Sequence, residues 1–236
     1  VLDDKNMGIL PEDKSIFTWN PTPISRLDCF LQKEIYRGNG FTHVYALRRN
    51  IGYNLQYLEY IDRCLCDLGL SSVLRTQNCK IFIIVGCSII ESLLSYLLVK
   101  NNLYSMTEWE LAYINSGSEK SIDGKKERID SYVYKKLTTP IRAEMTFDTM
   151  LKKAEARKVL GDITNLYPRL NYLRKLRNKI HLQEIAHPTD TDWNSFNMSD
   201  FSAMADVLHT IFTGNIFRSS SDEKKYFSYL EKYIII

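Results

Sequence analysis

Hydrophobic positions along this chain recur mostly at intervals of three and four residues, the period of a helix with one buried face. From Gly52 onward Leu55, Leu58, Ile61, Leu65 and Leu68 follow that spacing and stop near Gly69, which predicts an amphipathic helix. From about Val73 to Lys100 apolar residues occupy most of the circumference, so this segment is expected to be a central helix covered on several sides. Thr146 can cap a helix running to about Leu160, with Gly161 as its stop, and Ser199 or Asp200 can cap one carrying Met204, Val207, Leu208 and Ile211. The SSSDE run opens a last helix with Tyr226, Phe227 and Leu230.

Elsewhere the pattern is broken. Residues 1–50 carry Pro11, Pro21 and Pro23 with Gly38 and Gly40, and read as an irregular N-terminal appendage to a helical domain at 51–236. One helix is expected inside it, capped by Thr22, with Pro23 in its first turn and Ile24, Leu27, Phe30 and Leu31 at helical spacing. Thr107 and Glu110 have the spacing of a capping box for a short helix containing Trp109. Residues 116–128 read as a polar loop, Tyr132 to Tyr134 as a short strand or a helical turn, and Pro140 as a breaker of whatever precedes it. The fold class expected from all this is all-α.

Composition adds limits. The chain has 236 residues, 44% hydrophobic and 25% charged, which suits one main globular core and excludes a disordered polymer. A net charge of +3 is too small to argue by itself for a polyanionic partner. Five cysteines, some in apolar helical stretches, do not suggest a disulfide framework, and Cys64 and Cys66 lack the companions of a zinc site, so no metal and no cofactor are expected. Residues 81–99 approach the length of a membrane span, but Glu91 lies at their centre among Ser88, Ser92 and Ser95, so a buried core helix is expected and no membrane contact. No stretch reads as a targeting segment, and a cytoplasmic location is expected.

Chemistry concentrates in residues 167–186, YPRLNYLRKLRNKIHLQEIA, expected to form one helix with Leu166, Leu170, Leu173, Leu176 and Ile180 as its buried stripe. Arg174, Arg177, Asn178 and His181 fall at i, i+3, i+4 and i+7 and would border that stripe, half-buried. Arg169, Arg174, Lys175, Arg177 and Lys179 have no acidic neighbour between 169 and 179, which fits either a solvated basic face or a surface for the phosphates of RNA, with Arg169, Lys175 and Lys179 as backbone contacts. His181 adds a group able to take and return a proton near neutrality, beside a cation that never loses its charge. Those are the needs of metal-free RNA cleavage. His43, His187 and His209 have no such company and read as structural.

The string LRNKIH, from Leu176 to His181, resembles the signature of the HEPN superfamily, and Glu91 within SIIESLLSYLL is similar to that family's early helix. The resemblance covers roughly residues 50 to 215. It implies a helical bundle of HEPN type and a homodimer whose two protomers share one composite cleft. It also implies cleavage in which the ribose 2′-hydroxyl attacks the adjacent phosphate, with Arg177, Asn178 and His181 catalytic and Arg174 and Glu91 supporting. The family arginine is either Arg177, which carries the following asparagine, or Arg174. Glu91 would either pair structurally with one of these arginines or orient the arginine and tune His181. A toxin or phage-defence role, restrained by an antitoxin or sensor protein, follows from the same resemblance; a non-catalytic RNA-binding or dimerisation module is the alternative. The tyrosine by which some relatives are silenced is missing after His181, where Leu182, Gln183 and Glu184 stand.

Overall fold

The computed structural model describes residues 19–180 and 187–234. Helix α1 (Ile24–Gln32) precedes α2 (Val44–Asp67) and α3 (Ser72–Lys100); four strands then intervene, β1 (Met106–Ser116), β2 (Lys120–Ile122), β3 (Lys125–Glu127) and β4 (Asp130–Arg142). The chain returns to helices in α4 (Phe147–Ala156), α5 (Leu166–Arg177), the short α6 (Asp192–Ser195), α7 (Met198–Thr213), and the single turns α8 (Ser221–Lys224) and α9 (Ser228–Glu231).

The core is helical and α3 is its axis. Ser71 caps α3 by accepting from the Leu74 amide, and the helix then buries Phe82, Ile83, Cys87, Ile90, Leu93, Leu94 and Leu97 against α2, α4, α5 and α7. Its length and hydropathy would suit a membrane span, but most of that window is enclosed by its neighbours. Gly86 lets α7 come close, since a Cβ there would stand 2.5 Å from the Met204 sulfur. Helix α1 belongs to the same core: Phe30 is stacked on Phe217 at 5.0 Å, and Leu27, Leu31 and Ile35 are fully enclosed. Ion pairs tie the segments at the surface, among them Arg48 with Asp28 at 2.9 Å and Lys100 with Glu34 at 2.6 Å.

The all-α expectation is overturned between α3 and α4. Residues 106–142 form a long antiparallel ribbon of β1 and β4, closed at its tip by the hairpin β2 and β3. Thr107 and Glu110 therefore cap no helix, and the polar stretch 116–128 contains paired strands. The hairpin turns on Asp123 and Gly124, both with positive φ, an Asp-Gly pair suited to a tight two-residue turn. Pro140 does not end β4. It sits where the ribbon register jumps from Trp109 opposite Lys136 to Thr107 opposite Ile141, so the residue that cannot donate to the ladder lies in an unpaired excursion.

Helix boundaries differ too. Helix α2 starts at Val44, well before Gly52. Thr146 does cap α4, accepting from the Thr149 amide at 3.2 Å, but α4 stops at Ala156, and Gly161 (φ 94°) turns the chain beyond it. Helix α7 is capped by Asn197, with Asp200 completing a capping box. The final segment divides into single turns from its Ser220 cap.

Candidate functional site

Helix α5 buries four of the five residues of the expected stripe, Leu166, Leu170, Leu173 and Leu176, together with Tyr167, whose hydroxyl accepts from the Leu160 amide at 3.0 Å; the fifth, Ile180, lies beyond the helix and is only partly enclosed. The α-helical path ends at Arg177. Asn178–Ile180 tighten into a 3-10 turn, so the expected single helix from 167 to 186 does not run through them. His181, Leu182, Gln183 and Glu184 lie outside the described residues.

The absence of acidic residues near the basic run is a property of sequence neighbours alone, because carboxylates arrive from other helices. Arg169 is ion-paired with Asp206 of α7. Arg174 is ion-paired with Asp148 of α4, Nη2 to Oδ1 at 2.7 Å, and donates from Nη2 to Asn171 Oδ1 at 2.9 Å. Arg177 donates from Nη2 to Glu91 Oε2 of α3 at 3.2 Å. The three arginines thus clasp α5 to three different helices, and Arg174 and Arg177 turn to different partners. Asn178, Lys175 and Lys179 are exposed. Asp148 lies in the first turn of α4, where the helix N-terminus favours an anion; its carboxyl is held below the ordinary range by its hydrogen bond from Lys152 first, with Arg174 helping.

Glu91 stands on a line of α3 that the bundle leaves open. Ser88, Glu91, Ser92 and Ser95 fall on one helical face, none of them buried, while the positions on either side are enclosed. With Phe41, Leu47 and Met150 they line a groove of about 320 Å³. Sequence reasoning treated these serines as a dilution of apolarity and missed that their spacing marks a solvent-facing strip. Neither member of the Glu91–Arg177 pair is deeply buried, with side-chain exposures of 28% and 31%. The pair therefore holds the guanidinium in place without sealing it. A guanidinium has five N–H donors, so one bond to Glu91 leaves others for an arriving anion.

One turn before Glu91, Cys87 is enclosed between α3 and α5, with Sγ 3.6 Å from the Leu173 carbonyl oxygen. Burial pushes its thiol up to about 12, against the pull of Arg177, which leaves it an inert packing group. Tyr172 donates to Asp200 Oδ1 at 2.5 Å, and that bond is the main reason its phenol rises to about 12. Of the other histidines, His43 precedes α2 with φ 55°, His187 shares a hydrogen bond with Thr189 Oγ1 at 2.7 Å, and His209 faces Glu231 at 3.8 Å. Among the described residues no three His, Cys, Asp or Glu side chains stand close enough to hold a metal ion.

No protein-family model, no curated protein and no solved structure matches the chain.

Proposed function

We propose that the chain is a metal-independent endoribonuclease acting as a homodimer, with Arg177 and His181 as its catalytic residues. The observation that carries the reading is the Glu91–Arg177 pair. It links the glutamate of the central helix to the arginine of LRNKIH, half-exposed beside a groove, with guanidinium donors to spare. The resemblance to HEPN ribonucleases supplies the chemistry. The ribose 2′-hydroxyl attacks the adjacent phosphorus, and the bond to the 5′-oxygen breaks, leaving a 2′,3′-cyclic phosphate and a 5′-hydroxyl. His181 moves the proton between these oxygens, Arg177 holds the charge that grows on the phosphate, and Asn178 positions it. Glu91 is a positioning residue, and Lys175 and Lys179 steer the RNA backbone. A cytoplasmic toxin or phage-defence effector held in check by an antitoxin or sensor protein is the setting this activity implies.

Total cellular RNA incubated with the protein in EDTA should acquire cyclic phosphate ends, and His181→Ala should abolish them while the circular dichroism spectrum is unchanged. Cleavage that survives His181→Ala removes the assignment. Glu91→Gln should slow cleavage less than Arg177→Ala, because the guanidinium is freed rather than lost.

A non-catalytic RNA-binding or dimerisation module is the second reading. It is favoured by the engagement of Arg169, Arg174 and Arg177 with carboxylates, as in pairs that only hold helices together. Its signature is salt-sensitive RNA binding or a stable dimer with no cleavage of any RNA, and protein-dependent cyclic phosphate ends exclude it.

A further inference from the structure

The ribbon of β1 and β4 carries an apolar face that no part of the described chain covers. Register assigns the face: Trp109 opposes Lys136, Leu111 opposes Tyr134, and Ile114 opposes Tyr132. The step from Leu111 to Ile114 would break strict alternation, but the register slips between Leu111 and Tyr113, leaving Ala112 without a partner. That bulge returns Ile114 to the side of Trp109 and Leu111. Trp109, Leu111, Ile114, Tyr132 and Tyr134 therefore share one face, each between 46% and 59% exposed. The opposite face carries Glu110, Lys135, Asn115 and Ser131 with Tyr113 and Val133. Scattered exposed apolar residues need no explanation, but a bulge that gathers five of them on one side does.

We propose that this face binds the same face of a second copy of the chain, stacking two ribbons across a two-fold axis. Residues 106–142 hold seven basic and six acidic side chains, so the ribbon is balanced in charge and offers a polyanion little. Its tip, Lys120 to Glu127, is strongly charged, which does not suit insertion of the ribbon end-first into a bilayer. The face is instead complementary to itself. Lys136, beside Glu108, marks one end, and Asp130, held by Arg128 at 2.9 Å, marks the other. Antiparallel stacking sets Lys136 of one copy across from Asp130 of the second and brings Tyr134 over Tyr132 at the centre. Three aromatic side chains of roughly 150–250 Å² each, together with Leu111 and Ile114, all about half exposed, give a face of roughly 500 Å² accessible area. Two such faces bury on the order of 1,000 Å², the lower bound for a specific interface, with stacked sheets ~10 Å apart. Such an interface is expected to be reversible and dependent on concentration.

Sedimentation velocity of the full chain across a hundredfold range of protein concentration tests this without any RNA; the ribonuclease reading also calls for a dimer, and the ribbon variants separate the two, because a dimer built only around α5 is left unchanged by them. The wild type should shift from monomer to dimer with rising concentration, and Trp109→Ser with Tyr134→Ser should raise the dissociation constant at least tenfold with helical circular dichroism intact. Lys136→Asp should also weaken the dimer, and more so at low salt. A wild type that stays monomeric throughout overturns the proposal, and so does a dimer that the double variant leaves unchanged.

Discussion

Helix α3 and the β1/β4 ribbon follow one another in the chain and are both rich in apolar side chains, yet one is enclosed and the other stands in solvent. The difference lies in what each backbone leaves unfinished. A helix completes its own hydrogen bonds but has side chains all round, so α3 needed α2, α4, α5 and α7 to cover it; beyond its exposed first turns, the strip that includes Ser88, Glu91, Ser92 and Ser95 was left uncovered. The ribbon pairs only the inward backbone groups of its two strands, leaves the outer edges to water, and keeps one apolar face over. A lone two-stranded ribbon is marginal in water, which is why a partner for that face is physically reasonable.

The sharpest way to break the comparison is to cut a core ring. Phe82→Ala empties a fully enclosed site whose ring packs tilted against Phe201 at 3.9 Å and should lower the unfolding free energy by about 3–5 kcal/mol in urea titration. Asp62→Ala comes next. Buried Asp62 accepts from Tyr233 Oη at 2.7 Å and Lys232 Nζ at 2.9 Å, and removal should cost about 1–3 kcal/mol, because the Tyr233 hydroxyl loses its partner while Lys232 can turn to water. Thr146→Ala deletes the α4 cap and should cost about 1 kcal/mol. Leu111→Ala on the ribbon should change the monomer's stability by no more than about 0.5 kcal/mol, while weakening self-association in sedimentation.

The smallest effect is one of pH. Burial holds the His209 imidazole below its ordinary value of ~6.5, with Glu231 pulling the other way. The folded state therefore prefers the neutral ring. Its contribution is present above ~6.5 and lost as pH falls through the folded value, so unfolding midpoints should decline over that window, and His209→Gln should flatten the decline.

Periodicity made the helical body legible. Leu55 to Leu65 and Phe82 to Leu97 needed only their spacing, and α5 needed only its leucines. Two things were hidden for stated reasons. The ribbon was disguised because its bulge at Ala112 places Leu111 and Ile114 three residues apart, the step of a helix, and because Thr107 and Glu110 mimic a cap; the readable clue was the Asp123–Gly124 turn. The counter-charges of α5 were hidden because Asp148, Asp206 and Glu91 are neighbours only in space. Glu91 as a partner for one of two arginines was within reach of sequence reasoning; that Arg177 takes it and Arg174 goes to α4 required the packing.

The ribbon leaves and rejoins the body at a single place, where the Ala143 amide donates to the Ser105 carbonyl oxygen at 2.9 Å and Arg142 hydrogen-bonds to the Gly40 carbonyl oxygen. The helical scaffold is thus already closed beneath it, like a ring with a handle. A reporter domain spliced between Asp123 and Gly124 would ride at the far end of that handle, beyond the roughly 36 Å that the eleven residues of β1 span at ~3.3 Å each. Any tug on it would reach the helices through two adjoining strand ends alone.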